Sequence, residues 1–422
     1  MSLTFRQRGV VFAAAMLAWT LAGVQMGITM LVMRAAVLDL LGSSATGDES
    51  QVKQWLAGYT AAFLVGAASG GFIFGSLGDR RGRIVGLGWS VMCYSVFAGA
   101  TYFVRSPEEL LLLRFLSCLG IGGVWPNAVA LVAEAWPSVS RPTLAGLLGT
   151  GANIGLVLIG LLCVYFPVTP DAWRWVMPVA ATPVILGIWI LLAVPESPAW
   201  LKRKAEAEAP TVLAADAAPT AALSVFRRPY LTTTLLGIAL GTIPMLGNWG
   251  SVNWLMPWAD QVGSFSSPET KGWAQIARSG GGAVGSLLGG WAASLFGRHL
   301  SYFLISLASL CVSQYVFGYL TPLDETFMLW TVALGFVSTI YFGWLPLYLP
   351  ELFPVAVRST GTGVSFNFGR YLSALGILAT GAVAASFGGD YPRIGQVTSL
   401  VFALGMVVIW FAPDTSRRSL AE

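Results

Sequence analysis

Arg114, Arg278 and Arg370 stand inside stretches that otherwise carry no charge. Each is a guanidinium with five donors and no means of losing its proton. In hydrocarbon such a group costs about 2.5 to 3.5 kcal/mol on insertion scales, so it is expected to face an interior cavity and to meet a counter-ion there. The acidic residues do not supply one, because all 20 Asp and Glu fall in loops or at the ends of apolar runs. Cations without fixed carboxylates around a shared chamber attract anions and repel cations. Gln25, Gln275 and Asn367 lie at depths where they could bind polar groups of such an anion, with Tyr341 and Trp344 as apolar walls. Asn127, Asn153 and Gln314 share that depth, and any of these amides could instead join helix to helix. Arg114 and Arg278 are close enough to a predicted surface to snorkel to head groups, whereas Arg370 is too deep.

A second constellation is written twice. "EAWPSVSR" at 134–141 and "ELFPVAVR" at 351–358 each close an apolar run with Glu, Pro and Arg at one spacing. Pro137 and Pro354 lack an amide hydrogen and end a helix, which holds Glu134, Arg141, Glu351 and Arg358 at corners. A repeated loop sends Arg83 and Arg298 toward the same corners, where carboxylate and guanidinium can pair through two bonds.

Such residues need helices to carry them. The chain has 422 residues, 55% hydrophobic and 10% charged, whereas a soluble protein is about a quarter charged. Runs long enough to cross a bilayer are expected near 9–33, 54–76, 84–104, 109–134, 142–166, 174–194, 229–249, 272–296, 300–320, 326–349, 359–386 and 394–412. Helix is the default, since lipid cannot satisfy an open backbone. The first run is too long for a signal peptide and is read as a retained span. Of the 24 Lys and Arg, fifteen fall on one side of these spans, six on the other and three inside, which puts both termini in the cytoplasm. The net charge of +4 is therefore topology and does not point to nucleic acid. Gly280, Gly281, Gly282, Gly285, Gly289 and Gly290 mark a face for close helix approach.

The spans divide six and six around a polar interval, so the expected units are a bundle at 1–201, a cytoplasmic linker at 202–228 and a second bundle at 229–422. "GSLGDRRGR" at 75–83 returns as "GWAASLFGR" at 290–298, and "PESP" at 195–198 as "PDTS" at 413–416. With the bracket, these three landmarks follow the same ordinal spans in each half and indicate a duplicated six-helix unit, an architecture known among transporters that rock around a midplane site.

"GSLGDRRGR", between the second and third spans, resembles the characteristic loop of the major facilitator superfamily. "RFLSCLGIGGVWPNAVALVAEAWPSVSR", "PESPAWL" and "PELFPVAVRSTGTG" resemble the branch of sugar porters, aromatic-acid and lactate/sialate symporters and organic-ion carriers. The resemblance spans essentially the whole chain. It implies an all-α membrane protein of twelve helices in two pseudo-symmetric bundles. It also implies that Asp79, Arg83, Glu134, Arg141, Arg298, Glu351 and Arg358 form a cytoplasmic network joining the halves when the protein faces outward, with Asp79 near the amino end of the eleventh helix. The second copy has Ser294 in place of Asp79, so that latch is expected to be uneven. Related proton symporters carry an aspartate in the first span, within a pattern like D-G-x-D. Here Ala22 and Gln25 occupy those places, which puts that coupling route in doubt and leaves Arg114 without its usual partner.

The function expected is a secondary transporter for a small organic anion, a monocarboxylate or aromatic acid, in a bacterial inner membrane. It would act as a monomer, as facilitator, exchanger or symporter, with no cofactor or metal. A carrier for a neutral sugar or polyol is the alternative, and a transport-inactive nutrient sensor a weaker one, because only a short segment follows the last span. No enzyme constellation is present: His299 is the single histidine, expected at a bland surface position. Cys93, Cys118, Cys163 and Cys311 fall inside spans as small apolar filler without metal or disulfide spacing.

Overall fold

The computed structural model describes residues 3–42, 49–136, 141–208, 225–263, 267, 269–354, 357–384 and 390–415. Most of the expected linker, Arg417, Arg418 and the side chains of Arg141, Ser294 and Arg358 lie outside the described residues. Among these residues every regular element is helical. Ten stretches are long and apolar enough to cross a membrane, and two further helices, Thr270–Phe296 and Arg358–Ala384, fill the eighth and eleventh places. Those two are rich in glycine and serine, and each carries one of the interior arginines.

Several spans run past their apolar cores for local reasons. The first, Phe5–Leu31, starts ahead of its greasy run because Thr4 and Gln7 form a reciprocal capping box, with Gln7 N donating to Thr4 Oγ1 at 3.3 Å and Thr4 N to Gln7 Oε1 at 2.9 Å. The second, Glu49–Arg81, ends on Arg80 and Arg81, cations that suit a helix carboxyl end. The sixth is two pieces, Val176–Ala181 and Val184–Ala193, parted at Pro183. The first and seventh each continue into an extra short helix, Met33–Leu40 and Leu255–Gly263. The seventh span therefore reaches well past the expected 249, and its extension carries Asp260.

Glycine sets the packing in both halves alike. A Cβ on Gly70 would stand 1.8 Å from the Leu119 carbonyl oxygen, so the second and fourth spans touch backbone to backbone. In the other half Gly281, Gly285 and Gly289 do the same against the tenth span, at 2.1 Å from Val332 O, 2.2 Å from Phe336 O and 2.3 Å from Ile340 O. The glycine face read from the sequence thus packs the eighth span on the tenth, although a Cβ on Gly280 would meet nothing within 4 Å. Between the halves run two seams, the second span against the eleventh and the fifth (Arg141–Tyr165) against the eighth.

The repeated Gly-Arg also finds its reason here. Gly82 and Gly297 hold positive φ, +119° and +77°, at the turns into the third span (Arg83–Ala100) and the ninth (Arg298–Tyr319). An L side chain is strained in that region of backbone space, so Arg83 and Arg298, which open the third and ninth spans, each follow a glycine.

Candidate functional site

All three interior arginines turn into the protein. Arg114 is 1% exposed and Arg278 6%, so neither snorkels to a head group. Arg114, on the fourth span (Pro107–Ala135), is braced on the first: it donates to Gln25 O at 3.2 Å, to Thr29 Oγ1 at 2.7 Å and to Cys118 Sγ at 3.8 Å. Arg278 reaches from the eighth span across to the first, where it donates to Met30 Sδ at 3.7 Å. Its Nε is buried without a partner. Arg370 crosses from the eleventh span to the second, donating to Ala67 O at 3.3 Å with its guanidinium 4.9 Å from the Phe366 ring centroid. Among the described residues, none of the three meets a carboxylate.

Of the polar residues expected beside them, some face the seams. Asn367 lies against Gly71 of the second span, and Tyr371 one turn on shares a 2.9 Å hydrogen bond with Ser69. Asn153 donates to Ser286 Oγ at 3.1 Å across the other seam. Gln275 is fully buried, giving Nε2 to Ser279 Oγ at 2.6 Å and leaving Oε1 unsatisfied.

Others must be corrected. Gln25 points its amide away from the seam into its own bundle, where Nε2 donates to Ala180 O at 2.6 Å. Asn127 and Gln314 need no such correction: they join helix to helix, as their amides allowed, through Phe74 O and Gln396 O. Tyr341 and Trp344 are not walls of a central chamber: both are 0% exposed and pack inside the second bundle against Tyr302 of the ninth span. The Tyr341 hydroxyl donates to Ser306 Oγ at 2.7 Å. The facing of Gln25, Tyr341 and Trp344 differs from that expectation, because all-apolar spans hide which side is the core. Arg114, expected to be free, is held by a hydroxyl and a backbone carbonyl where a carboxylate would otherwise sit.

At the end of the molecule bearing the brackets, the three repeated landmarks of each half converge. In the first half Arg83 pairs with Asp79 and, at 3.3 Å, with Glu134, and Ser197 of "PESP" donates to Glu134. In the second, Arg298 grips Glu351 through Nε at 2.9 Å and a terminal nitrogen at 2.8 Å, and Thr415 of "PDTS" donates to Glu351 at 2.6 Å. Glu196 accepts from the backbone N–H groups of Arg83 and Ile84 at 3.0 and 3.1 Å, capping the third span. Burial nonetheless raises its pKa. Ser197, Thr415 and Glu196 were missed as site residues, although they lie in the repeated tetrapeptides that should have nominated them. His299 is a joint to the chain end, 2.9 Å from Ala412 O.

The family model described as "Sugar (and other) transporter" matches residues 10–224. The chain belongs to this family, within the major facilitator superfamily. It is similar to the cis,cis-muconate transport protein of Acinetobacter baylyi, 26% identical over 78% of each chain. It is also similar to the gallate transporter of Pseudomonas putida, 27% identical over 89% of this chain and 87% of that one. A crystal structure of a D-xylose-proton symporter superposes with a TM-score of 0.69 at 18% identity, covering 95% of this chain and 98% of that one, which supports the twelve-helix fold. The protein is an integral membrane secondary transporter.

At the opposite end, the transporter gathers a second cluster of charges. Arg34, on the helix after the first span, pairs with Glu49 and, at 3.0 Å, with Asp260 on the helix after the seventh. Lys271 is 2.7 Å from the other Asp260 oxygen. The Arg34 guanidinium is held above its ordinary range: burial by itself lowers it, and Asp260, Tyr391 and Glu49 outweigh that. No repeat flags this cluster, and only the fold brings it together.

Proposed function

We propose that this transporter carries a small organic anion, a monocarboxylate or aromatic acid, through the seam between its halves by alternating access. The observation that carries the reading is the state of Arg278 and Arg370. Each crosses from the second half to the first and, among the described residues, donates there to a thioether or a backbone carbonyl. Buried guanidinium left without an anion is costly, and a substrate carboxylate would supply the missing charge with two-bond geometry. Arg114, already braced, adds to the positive potential of the path. The names of the muconate and gallate transporters, both for carboxylic acids, support the same class.

In this reading the bundles 1–201 and 229–422, joined by the linker 202–228, rock about the seams, and the bracket end faces the cytoplasm of a bacterium with both termini. Asp79, Arg83, Glu134, Arg141, Arg298, Glu351 and Arg358 act as the gate on that side. The first span has no carboxylate to take a proton, so in this reading the protein works as a facilitator or exchanger, or takes up a proton with the substrate.

Counterflow into proteoliposomes with labelled gallate, cis,cis-muconate and D-xylose tests the reading. Saturable exchange of an acid is expected, with Arg278→Gln and Arg370→Gln each losing about tenfold or more, the scale of one charge-assisted bond, while melting temperatures stay near that of the parent. Exchange of D-xylose without any acid would replace the reading with a neutral-sugar carrier.

A further inference from the structure

The charges at the end opposite the brackets do more than mark a membrane face. We infer that Asp260 is the centre of an electrostatic latch that holds the two halves together at this end, and that the latch must break each time the transporter opens there. The inference stands on how many bonds cross from one half to the other within a small buried region. Arg34 of the first half donates to Asp260 of the second at 3.0 Å. Lys271 of the second half, besides its 2.7 Å pairing with Asp260, donates to Val168 O of the first at 2.8 Å. Tyr391 of the second half donates to Glu49 of the first at 3.5 Å, and Lys53 of the first stands 4.1 Å from the Tyr391 ring centroid.

These groups are well out of water. Lys53 is 1% exposed, Lys271 2% and Tyr391 0%. Asp260 is thus clamped between a cation of each half, and both cations also reach elements of the first half. Burial makes such bonds strong while they are made and leaves charge uncompensated when they part. The cost is tolerable only where parting admits water, which is what opening this end would do.

Close backbone packing accompanies the latch. Gly160 of the fifth span and Gly272 of the eighth lie face to face, a Cβ on Gly272 standing 3.0 Å from Gly160 O. Gly272 adjoins Lys271, so the latch and this close approach of the two halves share one turn of helix.

Alkylation of a reporter cysteine tests the latch without any substrate. In a chain whose four cysteines are replaced by alanine, Met30→Cys sits one turn before Arg34. A membrane-impermeant maleimide is applied to right-side-out and to inside-out vesicles, so the latch is read whichever way the chain is oriented. With the latch intact, labelling from the Arg34 side is expected to be slow. Asp260→Asn, Arg34→Gln and Lys271→Met are each expected to raise it about tenfold, the shift that loss of one charge-assisted bond brings, with a smaller rise for Tyr391→Phe. Should Asp260→Asn fail to fold, Arg34→Gln and Lys271→Met decide the matter by the same readout. Labelling unchanged from that side in the folded variants overturns the inference.

Discussion

The two ends of this transporter use the same chemistry in opposite ways. At the bracket end, the described ion pairs join groups of the same half: Arg83 with Asp79 and Glu134, Arg298 with Glu351. At the other end the central carboxylate, Asp260, is shared between a cation of each half. Pairs inside a half fasten helices that move as one body, whereas the gate proposed for the bracket end joins the halves only while that end is closed. Pairs between halves belong to one state of the transport cycle. The contrast extends to the sequence, since the Arg-Glu pair of the bracket end, Arg83–Glu134 and Arg298–Glu351, is written twice and the Asp260 cluster once.

If that distinction holds, breaking a pair within a half should cost stability and leave the opposite end unchanged. The largest loss is expected for Glu351→Gln, which removes the carboxylate that takes two bonds from Arg298 and one from Thr415, with side chains only 12% and 5% exposed in the ion pair. Breaking a buried pair by removing one partner costs about 3 kcal/mol, read as a fall in melting temperature in detergent. Glu134→Gln should fall less, because Arg83 keeps Asp79 and Glu134 is 20% exposed. Equal losses would break the asymmetry between the halves.

Gly82→Ala follows, at about 1 to 3 kcal/mol, because it combines a φ of +119° with a Cβ 2.2 Å from Glu196 Oε2. Its effect should be confined to the bracket end. Gly160→Leu sharpens the comparison from the other side: overpacking the seam between the fifth and eighth spans costs about 1 to 3 kcal/mol and should expose a Met30→Cys reporter without altering any charge. The smallest effect is expected at Arg174→Ala. Arg174 pairs with Asp39 inside the first half, at the Asp260 end, with both side chains about a third exposed. A loss under about 1 kcal/mol and unchanged Met30 labelling are expected; a rise in labelling would erase the distinction between pairs within and between halves.

Much of the fold was legible because lipid restricts the options. Apolar run length implied helices, and the repeats of Gly-Arg, of the Glu-Pro-Arg bracket and of the two tetrapeptides implied a duplicated unit. The interior arginines were legible for the same reason, being expensive exceptions in apolar runs. The walls of the path were not. Tyr341 and Trp344 lie at plausible depth yet face Tyr302 in their own bundle, and Gln25 turns toward Ala180. In a span that is apolar all round, depth follows from counting residues, but facing depends on which neighbour the helix meets.

By itself the sequence determined twelve helices, their division into two related halves, and the groups that must be sheltered from lipid, because hydrocarbon penalises any unpaired polar group wherever it lies. Only the tertiary structure decided which arginines reach across to the other half and that Asp260 stands between Arg34 and Lys271. Those contacts join residues far apart in the chain and unrelated by the repeat. They exist only once two rigid bundles meet in a particular state.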